Sequence, residues 1–315
     1  MRFTAAFFKL IRLPNLIFIA LTQILFNQAI LLPLLRKAET VPVLHGRLFI
    51  LLVVASVLIA AAGYIINDYF DINIDEVNKP RKNVVDRMVS RRWAMLLHFL
   101  FSGTGLLFSF YISWKTGLWY ILVANFACVG LLFGYSATLK RKLLSGNILI
   151  SLLTAWVILI LCLSESRYMA FTAVDPVYLE QHTKIVRLGF LYAGFAFVSS
   201  LIREAIKDME DMEGDARYGC RTMPIVWGLN ASKVYVAVWL VVLIAILVIV
   251  QFYVLQFRWW LPVSYSILLI IGPLIYIFSK LFPAVTPAEF HRLSRWIKTV
   301  MLTGILSMIF FYYYL

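Results

Sequence analysis

Blocks of about twenty apolar residues recur along this chain, and no other feature limits its fold as strongly. One of them, LFILLVVASVLIAAAGYII at 48–66, carries no charge at all. About twenty residues is the length a helix needs to cross the hydrocarbon core of a bilayer. Only a helix or a closed β-barrel leaves no backbone polar group unpaired there. Barrel strands would show as short alternating segments, and none is visible. The 315 residues are 62% hydrophobic and 14% charged, whereas a soluble domain carries roughly a quarter charged residues. The chain therefore reads as all-α, a polytopic membrane bundle in a single integral-membrane domain over 1–315.

Nine spans are expected, near 14–35, 47–66, 93–113, 117–136, 147–165, 186–206, 231–256, 260–280 and 296–314. The segment 166–185 is mixed and contains Asp175-Pro176, so it reads as a loop with a surface helix. The loops divide by charge. The N-terminus, 67–92, 137–146, 207–230 and 281–295, with their flanks, hold about 21 of the 29 Lys and Arg, and the other side holds about 8. The positive-inside rule puts the N-terminus and the charged loops in the cytoplasm, at the cell's inner membrane, and nine spans put the C-terminus outside. The early run after Arg2, Lys9 and Arg12 has no small-residue cleavage site and reads as a retained helix.

The net charge of +13 follows from those loops, and no nucleic-acid motif accompanies it. Cys128, Cys162 and Cys220 are far apart, and His45, His98, His182 and His291 form no pair at helical spacing. A zinc or haem site is not expected.

The distinctive polar residues follow the ends of the second, fourth and sixth spans. After the second comes NDYFDINID at 67–75, with Asp68, Asp71 and Asp75 spaced three then four apart. After the sixth comes REAIKDMEDMEGD at 203–215, where Asp208, Asp211 and Asp215 repeat that spacing. On a helix such a triplet falls within about 60° of one face, with Glu210 and Glu213 directed elsewhere. Like charges side by side repel, so divalent cations are implied. Oxygen-only donors suit Mg²⁺, which keeps some waters and shares phosphate oxygens. The spacing therefore points to a metal-bridged diphosphate. Asn67 adds a carbonyl oxygen or holds a metal-bound water, and the expected metal-ligating set is Asn67, Asp71, Asp75, Asp211 and Asp215. The match of DINID to a calcium loop fails, because the sixth position is Glu76 and the twelfth is Lys82. Cations for the diphosphate are at hand in YSATLKRK at 135–142, which supplies Tyr135, Lys140, Arg141 and Lys142. NKPRK at 78–82 adds Lys79, Arg81 and Lys82, and Arg203, Lys207 and Arg221 flank the second triplet.

With these residues assembled, the chain resembles the UbiA superfamily of intramembrane prenyltransferases. Asn67, Asp68, Asp71 and Asp75 meet its N-D-x-x-D-x-x-x-D motif. Asp208, Asp211, Gly214, Asp215, Gly219, Thr222 and Pro224 meet its second, and Tyr135, Ser136 and Lys140 meet its Y-S-x-x-x-K segment. RLPN at 12–15 and GN at 146–147 are further likenesses. The chain departs from the family after NKP, lacking the R-P-x-x-x-G stretch of many members. The resemblance implies nine helices and catalysis by the six aspartates. It also implies diphosphate binding by Asn67, Lys140, Tyr135, Arg81, Arg203 and Lys207. Its implied chemistry is Mg²⁺-dependent transfer of a prenyl group from a polyprenyl diphosphate to a lipophilic acceptor. The overall tone of both motifs is most like the geranylgeranylglycerol-phosphate geranylgeranyltransferase type. An aromatic quinone-precursor acceptor is the alternative, since such members share the metal apparatus. The rival from another class is a secondary transporter or ion channel. Such proteins hold their acids near the midplane on broken helices, not at helix ends on one face.

Overall fold

The computed structural model describes residues 7–72, 74, 77, 89–166 and 175–314. Among these, nine helices are long and apolar enough to cross a membrane. They are α1 (Leu13–Lys37), α2 (Gly46–Phe70), α3 (Arg91–Thr116), α4 (Trp119–Ala137), α5 (Ser145–Ser164), α6 (Pro176–Glu210), α7 (Leu229–Leu255), α8 (Trp260–Leu281) and α9 (Pro287–Tyr314). Large apolar side chains such as Leu107, Phe126, Ile249, Phe252 and Leu268 are exposed on these helices. In water such exposure would be costly, but in a bilayer it is the normal outer face.

Two helix starts lie well before their expected positions. Helix α6 begins at Pro176, inside the stretch read as a loop. Asp175 caps it, its Oδ1 accepting the Val177 N–H at 3.1 Å, and the following proline suits a first turn. Helix α9 begins at Pro287 through a capping box, in which Thr286 Oγ1 accepts the Glu289 N–H while Glu289 Oε2 accepts the Thr286 N–H at 2.8 Å. Charged and polar residues soon after these starts, in 180–184 and 289–295, had concealed them within polar windows.

Helices α1 and α8 each carry a π-helical stretch, Phe26–Leu31 and Ile267–Ile271. In both, a proline follows two residues later, Pro33 and Pro273. A proline inside a helix offers no N–H to the carbonyl four residues back. The ladder shifts register just before it. Leu32 N–H bonds Asn27 O, and Gly272 N–H bonds Ile267 O, each five residues back.

The chain divides into two compact units, Met1–Lys140 with Trp156–Phe190, and Arg141–Ala155 with Leu191–Leu315. In the first, α2 packs against α1, α3 and α4. Small residues allow close approach. A Cβ on Gly105 of α3 would stand 2.8 Å from Ile59 Cγ1 and 3.3 Å from the Ala55 carbonyl. His98 Nδ1 lies 3.0 Å from Ala62 O, and Asn125 Nδ2 donates to Ser109 Oγ at 2.8 Å, which stitches α3 to its neighbours. In the second unit the core is Ile202, Ala205, Ile206 and Met209 of α6 with apolar residues of α7, α8 and α9. Lys233 is buried there. Its Nζ donates at 2.8 Å to the carbonyl of Phe282, at the C-terminal end of α8 where the helix dipole favours a cation.

Glu165, just past α5 in the first unit, is fully buried. Its carboxylate accepts the Val43 N–H at 3.2 and 3.3 Å and the Ser164 hydroxyl at 3.3 Å, while its backbone carbonyl accepts the Tyr178 hydroxyl at 3.0 Å. Burial pushes this carboxyl up to about 7, with the bonds from Val43 and Ser164 pulling the other way. A carboxyl raised in the folded state keeps its proton after the unfolded chain has lost its own. Stability therefore falls as pH rises from the ordinary carboxylate range to about 7, by up to about 3 kcal/mol, and is flat above that. Thermal unfolding of the detergent-solubilised protein between pH 5 and 8 checks this. Glu165→Gln should flatten the slope and raise the melting temperature at pH 8, and an unchanged slope would contradict the assignment.

Candidate active site

The first acidic motif sits where α2 ends. The helix runs through Asn67 and Asp68 and stops at Phe70, so Asp71 is its C-cap, with φ −94° and ψ 0°. The expectation of a triplet riding one continuous helix therefore does not hold at Asp71. Aspartate competes for nearby backbone groups and is a poor helix former, and here its backbone enters the sparsely used bridge region. Asp75, Lys79, Arg81 and Lys82 lie outside the described residues.

The described acids of this motif are held by cations from elsewhere in the same unit. Arg12 Nη2 donates to Asp68 Oδ1 at 2.7 Å. Lys140, 69 positions on in sequence, forms an ion pair with Asp71 Oδ1. The amide of Asn67 completes the set, its Nδ2 donating to Asp71 Oδ2 at 2.7 Å and its Oδ1 accepting from Lys140 Nζ at 3.4 Å. That carbonyl oxygen is the one expected to face a metal, and here it faces Lys140. The Lys140 and Asp71 side chains are only 11% and 17% exposed, so each charge depends on the other. Arg12 has a left-handed backbone, φ 51°, which is strained for a residue with a Cβ. Its ion pair and its position 5.1 Å from the Tyr64 ring centroid hold it there. Tyr135 lies in the last turn of α4, ahead of the 3₁₀ turn that carries Lys140 and Arg141.

The second acidic motif repeats this arrangement in the second unit. Asp208 lies in the last turn of α6, Asp211 breaks the helix with φ −95° and ψ 5°, and Asp215 lies in the short helix Met212–Arg217. The break is thus at Asp211 rather than at Gly214, the residue of lower helix propensity three positions on. The middle aspartates of the two motifs share nearly the same backbone angles. Asp208 Oδ2 accepts Asn147 Nδ2 at 2.9 Å. Glu210 and Glu213 are engaged elsewhere, by His291 Nδ1 at 2.9 Å and Arg217 Nη2 at 2.6 Å. The Arg221 N–H donates to the Arg141 carbonyl at 2.7 Å, joining the following loop to the cationic turn. In that loop the Thr222 hydroxyl is buried without a partner among the described residues. Arg203 and Lys207 are both paired to Glu204, at 2.6 and 3.2 Å. Sequence reasoning had not singled out Glu204. Asn147 had entered only through a short likeness and Arg12 through another and as an N-terminal charge, and their partners were invisible.

The described side-chain partners of Asp68, Asp71 and Asp208 are amides or cations. Among the described residues no three His, Cys, Asp or Glu side chains gather tightly enough to hold a metal alone. The donor chemistry nonetheless fits a hard cation that completes its shell with water and phosphate oxygens. The Cys220 N–H, in the loop that follows, donates to Asp215 O at 3.0 Å.

Residues 34–313 match the UbiA prenyltransferase family. The digeranylgeranylglyceryl phosphate synthase of Methanosphaera stadtmanae is 28% identical over 248 residues, which cover 78% of this chain and 81% of that protein. A solved digeranylgeranylglyceryl phosphate synthase superposes with a TM-score of 0.62 at 22% identity, covering 98% of this chain and 99% of that one. A UbiA homologue of Archaeoglobus fulgidus bound to DMAPP and Mg²⁺ superposes with a TM-score of 0.56 at 15% identity, covering 96% and 98%. At these identities the two superpositions establish the fold. Matched over most of its length and built on nine apolar helices, the chain is an integral membrane protein of the UbiA prenyltransferase family.

Proposed function

We propose that this protein transfers a prenyl group from a polyprenyl diphosphate to a glyceryl phosphate lipid, with Mg²⁺ as its metal. The observation that carries the reading is the convergence of Asn67, Asp71 and Lys140 at the end of an apolar helix. Acid, amide and cation stand together where a diphosphate and its counter-ion need them. The relatives' names favour a glyceryl phosphate acceptor over an aromatic one. The UbiA homologue solved with DMAPP and Mg²⁺ supports the donor class and the metal. The whole chain acts as one catalytic domain, and both aspartate motifs serve the one reaction. The charged loops and the N-terminus face the cytoplasm at the inner cell membrane, which the loop charge asymmetry supports.

The reaction breaks the allylic C–O bond of the donor, and its electron pair leaves with the diphosphate. An acceptor hydroxyl oxygen then bonds to the allylic carbon and gives up its proton to solvent. Diphosphate leaves readily only when its charge is met. Mg²⁺ held by Asn67, Asp71, Asp75, Asp211 and Asp215 would supply part of that neutralisation. Lys140, Arg81, Arg203 and Lys207 supply the rest, as fixed charges in a poorly hydrated setting. Tyr135 orients a phosphate oxygen. Arg12 and Asn147 hold Asp68 and Asp208 in place, and the apolar helices keep water from the carbocation.

Two measurements test the reading. Asp71→Asn and Asp211→Asn preserve shape and remove a charge, and each should cut prenyl transfer by at least about a hundredfold while the protein still inserts and purifies. EDTA should mimic them and Mg²⁺ should reverse it, so near-normal turnover in either variant would sink the metal assignment. Asn147→Leu removes the only described amide donor to Asp208. It should lower the turnover of prenyl transfer by about tenfold at saturating Mg²⁺. An unchanged turnover would mean that Asn147 only packs.

A further inference from the structure

Helix α6 places three charges within the five residues before Asp208. Glu204 is 7% exposed, and its two carboxylate oxygens are divided between two cations. Oε1 meets Arg203 Nη1 at 2.6 Å and Oε2 meets Lys207 Nζ at 3.2 Å. The cations themselves are 22% and 27% exposed. Buried ions in a membrane helix are expensive, and an apolar triplet would pack there with less penalty. Stability alone gives no reason for them. Four residues separate Glu204 from Asp208, so this carboxylate continues the acidic face by one turn. One of its oxygens is bound by arginine and the other by lysine. The group sums to one positive charge, and the two cations present two donors to one two-oxygen anion.

We infer that Glu204 is an internal counter-anion of an anion-binding pair, Arg203 and Lys207, whose ligand is a phosphate group of a substrate. The phosphate takes the two cations from Glu204 on binding and returns them on release. The carboxylate keeps both charges paired in the resting protein and competes with the departing product. The inference rests on the proposed prenyl transfer, which brings two phosphate-bearing molecules to the protein, a diphosphate donor and a phosphate monoester acceptor.

Calorimetry on the detergent-purified full chain at fixed Mg²⁺ tests it, with inorganic pyrophosphate and glycerol phosphate as probes. A competing anion and an orienting one have opposite signatures. Glu204→Gln should tighten binding by about tenfold, the effect of removing one nearby negative charge. Arg203→Gln and Lys207→Gln should each weaken it. A merely structural role does not move neighbouring variants in opposite directions. A response to pyrophosphate alone assigns the pair to the donor, and one to glycerol phosphate alone to the acceptor. Unchanged or weaker binding of both probes by Glu204→Gln overturns the inference, as does a wild type that binds neither. If Glu204→Gln does not fold, Glu204→Asp keeps the charge but cannot span both cations. It should tighten binding to a smaller degree, and an unchanged affinity overturns the inference equally. Prenyl transfer is assayed in parallel. A wild type that binds the probes as described yet transfers nothing ends the functional reading and leaves the anion pair standing.

Discussion

A charge beside hydrocarbon must have a partner, and the polar architecture of this protein follows from that constraint. Asp68 has Arg12, Asp71 has Lys140 and Asn67, and Asp208 has Asn147. Glu204 has Arg203 and Lys207, and Lys233 has the carbonyl of Phe282. Even Glu165, remote from the aspartates in sequence, is satisfied by Val43 and Ser164. Several of these partners lie more than fifty positions away in sequence, so satisfying a charge also pins two segments together. The left-handed backbone at Arg12 shows the strength of the requirement, because strain is tolerated where an ion pair depends on it.

The same constraint explains how a helix becomes a site. A continuous helix would point its aspartates outward in file. In both motifs the middle aspartate instead stops the helix in nearly the same conformation, at Asp71 and at Asp211. A repeat in sequence has become a repeat in backbone. Ending a helix at an acid leaves last-turn carbonyls beside the carboxylate, so oxygen donors from side chain and backbone gather in one place. That environment suits a hard cation and repels an unaccompanied anion, which is why basic residues attend both motifs.

Much of this was legible in the residues, and what was not has a physical reason. The nine spans stand out because bilayer thickness imposes a length that no soluble constraint imposes. Both aspartate triplets were visible because helical spacing is local. The helix starts at Pro176 and Pro287 were legible in principle, through Asp175-Pro176 and the Thr286…Glu289 box, but hydropathy outweighed them. The π stretches before Pro33 and Pro273 were hidden, since proline announces a missing donor without saying how the ladder will adjust. Partner identity was the largest gap. Nothing near Asp71 indicates Lys140, nothing near Asp208 indicates Asn147, and Glu204 looks like any helical glutamate until its two cations are in view.

Self-compensation has a consequence for chemistry. A soluble enzyme can leave a catalytic carboxylate to water until its metal arrives. Asp71 and Lys140 are too buried for that, so each is paired within the protein, as Glu204 is with Arg203 and Lys207. A ligand that engages any of these groups exchanges partners with it rather than filling an empty charge. The free energy of each new contact is offset by the contact it replaces, which moderates affinity. An enzyme that must release diphosphate after every turnover gains from such moderation, because uniform tight binding would hold product as firmly as substrate. Pairs that satisfy charges inside a membrane chain thereby also moderate how firmly such groups can hold an ionic ligand.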